Sequence, residues 1–129
     1  MWIFTASRDA ARRVALEQRG AHIELMDGVA PAPKGSRLPL QSVLSRLAAA
    51  EVNELLVEAG ATLCGELIRT QLADELLLYV APMLLGPQAR ALAMLPELTS
   101  LDASPRFELI DSTRIGPDLR LRLRPRNVV

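Results

Sequence analysis

One cysteine, one histidine and one lysine occur among 129 residues, and each scarcity removes a class of function. Cys64, being alone, can form no internal disulfide and no cysteine cluster for a metal. His22, also alone, weighs against a histidine-based zinc site or a Ser–His–Asp triad. No apolar run approaches the roughly 20 residues that cross a bilayer, and the first residues lack the regions of a signal peptide. Charge of one sign is missing too. Fifteen basic residues meet fifteen acidic ones, so the formal net charge is zero. That weighs against a nucleic-acid partner held by bulk electrostatics, which needs a basic surface. The expected setting is cytoplasmic, with neither membrane nor nucleic acid as partner.

What is present is a soluble globular balance, with half the residues apolar and 23% charged. The length suits one domain with one core. Fourteen of the fifteen basic residues are arginine, Lys34 being the exception, and codon bias explains this as well as function does.

Along the chain, Trp2-Ile3-Phe4-Thr5 reads as a strand and Asp9 to Arg19 as a helix. Ser7 or Asp9 is its cap, Gly20 its stop, and Ala11, Val14, Ala15 and Gln18 its inner face. His22 to Met26 reads as a second strand, followed by a Gly/Pro/Ala-rich loop from Asp27 to Arg37. Leu40 to Ala50 is a helix with a stripe of Leu40, Val43, Leu44 and Leu47. Glu54-Leu55-Leu56-Val57 reads as a third, buried parallel strand, and a helix runs from about Leu63 to Thr70. Asp74 to Val80 is another strand, ended by Pro82. Met83 to Arg106 is irregular, with three prolines and a short helix expected around Ala89 to Met94. Phe107 to Arg114 and Leu119 to Arg124 alternate apolar with polar residues around Gly116-Pro117-Asp118, the pattern of an antiparallel hairpin. The class is therefore α/β: a mainly parallel sheet flanked by helices, with a C-terminal antiparallel hairpin.

Chemistry concentrates where strands hand over to helices. After Val57, the run Glu58-Ala59-Gly60-Ala61-Thr62-Leu63-Cys64-Gly65-Glu66 is a small-residue turn opening a helix. Gly60 lets a phosphate approach the backbone, Thr62 can cap the helix or donate to the phosphate, and Gly65 keeps the first turn slim. An ordinary strand-to-helix turn packed with small residues accounts for the pattern equally well. Glu58 stands at the carboxyl end of an apolar strand, the ligand edge of open α/β sheets, where it can accept from ligand hydroxyls. It also reads as a solvated carboxylate. Thr5, Ser7 and Arg8 form a second such corner, two hydroxyls and a guanidinium suited to a phosphate ester; a plain helix cap serves as well. His22 and Cys64 read as structural, and the Arg120, Arg122 and Arg124 alternation as a solvated face.

Three segments, in this order and spacing, carry a resemblance: Leu56-Val57-Glu58-Ala59-Gly60-Ala61-Thr62-Leu63, then Leu72-Ala73-Asp74-Glu75-Leu76, then Tyr79-Val80-Ala81-Pro82-Met83-Leu84-Leu85-Gly86. They resemble the reductase domain of bacterial riboflavin-biosynthesis deaminase–reductases, over Trp2 to about Arg124, with Ile115-Gly116-Pro117-Asp118-Leu119 fitting the closing hairpin. The resemblance implies a dihydrofolate-reductase-like fold. It also implies NADPH-dependent reduction of the ribosyl group of 5-amino-6-(5-phosphoribosylamino)uracil to the ribityl form, by a homodimer. Glu58 would then contact the substrate, and Gly60, Ala61, Thr62, Leu63, Cys64, Gly65 and Glu66 would line the cofactor's phosphate turn. Thr5, Ser7 and Arg8 would lie near the cofactor's 2′-phosphate, and no metal is implied. The family's reductase domain starts well before Trp2, and the zinc deaminase domain of bifunctional members has no counterpart here. The alternative is a non-catalytic nucleotide-binding or dimerisation fragment.

Overall fold

The computed structural model describes residues 1–26, 38–97 and 99–126. The expected loop from Asp27 to Arg37 lies outside them. The chain divides into two compact units, Met1–Leu56 and Val57–Val129.

In the first unit, β1 (Trp2–Thr5) and β2 (His22–Leu25) pair in parallel, with Ile3 opposite Ile23 and Thr5 opposite Leu25. The crossover between them is α1 (Ala10–Glu17). Of the two expected caps, Asp9 is the one used: its side chain accepts from the Arg12 N–H at 3.0 Å. Gly20 ends the turn at φ +82°, a conformation costly for any residue with a Cβ. The expected inner face of α1 is not observed, because Ala11, Val14, Ala15 and Gln18 are all exposed and Leu16 alone in that helix is half-buried. α2 (Leu40–Ala49) does follow its stripe: Leu40, Val43, Leu44 and Leu47 are half-buried and the residues between them exposed. Among the described apolar residues of this unit only Ala21 and Met26 are buried.

The expected strand at Glu54–Val57 does not form. No partner strand hydrogen-bonds to it among the described residues, and Leu55, Leu56 and Val57 are 48%, 74% and 37% exposed. An apolar run makes a buried strand only when neighbours supply its backbone partners. Among the described residues parallel pairing is accordingly confined to β1 and β2.

The second unit holds α3 (Ala61–Arg69) and an antiparallel sheet of β3 (Leu76–Val80), β4 (Phe107–Ile115) and β5 (Asp118–Pro125), in the order β3-β5-β4. β4 and β5 are the expected hairpin, turning at Gly116 with φ +59°. A bulge interrupts their ladder between Leu109 and Asp111. The short helix expected around Ala89 to Met94 is absent; a 3₁₀ turn forms at Leu101–Ala103 instead. The Met94 N–H donates to the Ala61 carbonyl at 2.8 Å, so that backbone serves the first turn of α3 rather than a helix of its own. Pro87 and Pro96 flank the segment and break helical continuity on both sides.

The arginine-bearing face of β5 is an ion-pair ladder rather than a merely solvated row. Arg120 donates to Asp111 at 3.0 Å and to Thr113 at 3.3 Å, and Arg122 engages Glu75 through two bonds of 2.9 and 3.0 Å. The Arg122 hydrogen bond holds the Glu75 carboxyl below the usual carboxylate range. Arg120, and after it Thr113, does the same for Asp111. A carboxyl whose folded pKa is depressed stabilises the fold above its unfolded value, near 4, and loses that contribution as the pH falls through the folded value. Melting temperature is therefore expected to drop as the pH is lowered below about 4, less steeply in an E75Q/D111N double variant. Both carboxylates are about one-third exposed, so salt should weaken the effect. Identical acid limbs in thermal melts of the two proteins would contradict this assignment.

Candidate functional site

The small-residue turn before α3 is where the structure leaves backbone donors open. Gly60 is the N-cap of α3, extended at φ −74° and ψ 166°, with no side chain capping the helix. Its carbonyl accepts from the N–H groups of Leu63 at 3.1 Å and Cys64 at 3.2 Å. The N–H groups of Ala61 and Thr62 have no acceptor among the described residues. Two orphan donors at the positive end of a helix form a fitting seat for a phosphate oxygen. A Cβ built on Gly60 would meet nothing within 4 Å, so the space beside the turn on that side is unfilled by the described residues.

Thr62 is the second residue of the helix and exposed. It does not cap the helix, and its hydroxyl is placed to serve a ligand or water. Leu63 is 39% exposed beside it. The Cys64 thiol donates to the Ala59 carbonyl at 3.4 Å, tying the turn to the first helical turn. Gly65 is buried, and its role is close packing: a Cβ there would fall 2.1 Å from the Met94 carbonyl oxygen. Glu66 is bound to Arg69 through contacts of 2.6 and 3.1 Å, so its carboxylate is committed one turn along its own helix. Glu58 is exposed and its carboxylate has no partner among the described residues.

Thr5, Ser7 and Arg8 belong to the first unit, at the carboxyl end of β1. The Ser7 N–H donates to Thr5 Oγ1 at 3.0 Å and the Asp9 N–H to Ser7 Oγ at 3.4 Å. This chain of short side chains holds the corner from which α1 departs, and neither hydroxyl donates to a partner among the described residues. The structure thus keeps two corners, one in each unit.

Sequence reasoning passed over a third cluster. His22 packs against Trp2 with ring centroids 4.6 Å apart and planes tilted by 40°, and lies 3.6 Å from Glu24, which also receives the Arg46 guanidinium. The parallel register that puts Trp2 opposite His22 creates it. No period-2 reading of either strand alone reveals that register. Among the described residues no group of His, Cys, Asp and Glu is arranged to hold a metal, and no helix is long and apolar enough to cross a membrane.

Comparison with known proteins adds a lineage to this geometry. Residues 1–121 match the family model described as the RibD C-terminal domain. The riboflavin biosynthesis protein RibD of Haemophilus influenzae is 44% identical over 89 residues, 69% of this chain and 24% of that protein. The 5-amino-6-(5-phosphoribosylamino)uracil reductase of Buchnera aphidicola is 38% identical over 92 residues, 71% of this chain and 44% of that protein. Among solved structures, RibD of Acinetobacter baumannii superposes with a TM-score of 0.79 at 29% identity, over 97% of this chain and 31% of that one. The chain thus spans from 24% to 44% of the length of these relatives. Its α/β fold is of the dihydrofolate-reductase type that the solved RibD structures share.

Proposed function

The chain belongs to the RibD C-terminal domain family, and on that footing we propose that it serves the NADPH-dependent reduction of 5-amino-6-(5-phosphoribosylamino)uracil to its ribitylamino form. The observation that carries this reading is the family match over residues 1–121, which takes in both the corner after β1 and the turn before α3. NADPH, when bound, supplies the hydride; the chain's own residues position and polarise.

In this reading the Ala61 and Thr62 N–H groups and the Thr62 hydroxyl hold a cofactor phosphate at the start of α3. The orphaned donors, and the open space around Gly60, fit such a group. Thr5, Ser7 and Arg8 suit the 2′-phosphate that separates NADPH from NADH, the two hydroxyls as donors and the guanidinium as countercharge. Glu58, exposed and without a partner, accepts hydrogen bonds from substrate hydroxyls and so orients the ribosyl group.

A melt of the chain alone and with excess NADPH or NADH tests the cofactor part. NADPH is expected to raise the melting temperature more than NADH, by an amount reflecting roughly 2.7 kcal/mol at about 100 times its Kd. E58Q should keep that shift and lose substrate turnover instead. A cooperative melt that NADPH leaves unmoved would count against the reading and favour a fragment whose role is assembly.

A further inference from the structure

We propose that the cavity at the carboxyl end of α3 is a second ligand site, one that takes a small organic carboxylate with an apolar body. The cavity measures about 220 Å³ and lies wholly within the second unit. Its apolar wall is formed by Leu67 and Ile68 from α3, Phe107 at the start of β4 and Pro125 at the end of β5. Pockets that hold drug-sized ligands run from roughly 300 to 1,000 Å³, so this one suits a single ring or a short branched chain.

Charge on the rim selects the ligand's other end. Phe107 opposite Pro125 closes the β4–β5 ladder, and the Arg126 N–H donates to the Arg106 carbonyl at 2.8 Å. That bond sets the two arginine backbones opposite one another, and both residues line the cavity. Arg106 has one contact to Asp102, at 3.2 Å, and Asp102 is 96% exposed, so the pair exchanges readily for a better anion. Arg126 has no carboxylate within ion-pair distance among the described residues. These two arginines line the cavity, one loosely paired and one with no carboxylate in reach among the described residues, and their planar donors are what a carboxylate accepts from.

The negative end of a helix argues against an anion beside it, and α3 ends at this cavity. Here three of the last four carbonyls of α3 are already paired. Both the N–H and hydroxyl of Thr70 donate to the Glu66 carbonyl, at 2.9 and 2.7 Å. The Leu72 and Gln71 N–H groups take the Leu67 and Ile68 carbonyls, with Gln71 in the left-handed region at φ +55°. The site is distinct from the phosphate turn. It adjoins the last turn of the same helix, about 13 Å along a nine-residue axis from Gly60.

The experiment is a titration of the full chain with benzoate, benzamide and inorganic phosphate, followed by the amide resonances of Leu67, Ile68, Ala103 and Phe107. Benzoate should saturate in the millimolar range, with benzamide and phosphate each at least about tenfold weaker. R126Q and R106Q should each weaken benzoate about tenfold. Both side chains are exposed, so their melts should match the parent's, and G60D, at the other end of α3, should bind benzoate normally. Benzoate and benzamide binding alike would overturn the charge recognition. Phosphate binding as well as benzoate would overturn the apolar one, and no saturable shift, or shifts unchanged in R126Q and R106Q, would overturn the site.

Discussion

Gly65→Val is expected to abolish cooperative melting of the second unit, or to lower its stability by at least about 3 kcal/mol, the upper range for overpacking. The Cβ alone would sit 2.1 Å from the Met94 carbonyl oxygen, 2.7 Å from its carbon and 2.8 Å from its nitrogen. All three are backbone atoms, so no side-chain rotation relieves the clash. The 92–96 segment would have to retreat, and the 2.8 Å bond from the Met94 N–H to the Ala61 carbonyl would go with it. Gly65→Ala should already destabilise, because the clash begins at Cβ, and valine should do so further. Denaturant melts of the three proteins decide the matter. An alanine variant within about 0.5 kcal/mol of the parent would show that the close approach is not a constraint on the fold.

The second large effect has opposite signs in two measurements. Gly60→Asp is expected to leave the melting temperature equal or slightly higher while weakening NADPH at least about thirtyfold. Space and conformation both permit aspartate: nothing lies within 4 Å of a Cβ at Gly60, and φ −74° is open to any residue. An aspartate at the N-cap of α3 accepts from the first-turn N–H groups and favours the helix dipole. The same carboxylate would occupy the donors proposed for a phosphate and repel it. Stability retained with cofactor lost would separate site from scaffold. If G60D bound NADPH as well as the parent, the turn would not be the phosphate seat.

Where one element decides its own structure, the sequence was a good guide. The Leu40, Val43, Leu44, Leu47 stripe has one period, and α2 obeys it. The hairpin announces itself through alternation around Gly116, and β4 and β5 form as expected. The turn at Gly60 was legible in outline, since small residues after an apolar run permit little else. Elements that depend on a neighbour were not legible. Leu55-Leu56-Val57 has strand-like residues and no partner strand, and α1 carries too few large apolar residues to define a face, so Leu16 alone is half-buried. The Met94 backbone that excludes a side chain at Gly65 lies 29 residues away, beyond any local pattern. The partners of Arg120 were hidden for another reason: nothing in β4 or β5 alone says how the two are aligned.

That alignment turns on the single residue Ile110, which shifts the phase of β4. Before it, Phe107 and Leu109 face Pro125 and Leu123, so odd-numbered residues lie on the leucine side of the sheet. After it, Asp111 and Thr113 oppose Arg122 and Arg120, so odd-numbered residues lie on the arginine side. An unbroken two-residue alternation would have carried Asp111 and Thr113 onto the leucine side, and Ser112 and Arg114 in among the arginines. The bulge works as a one-residue frame shift, through which a strand that begins as an apolar partner ends as an acidic and hydroxylic one.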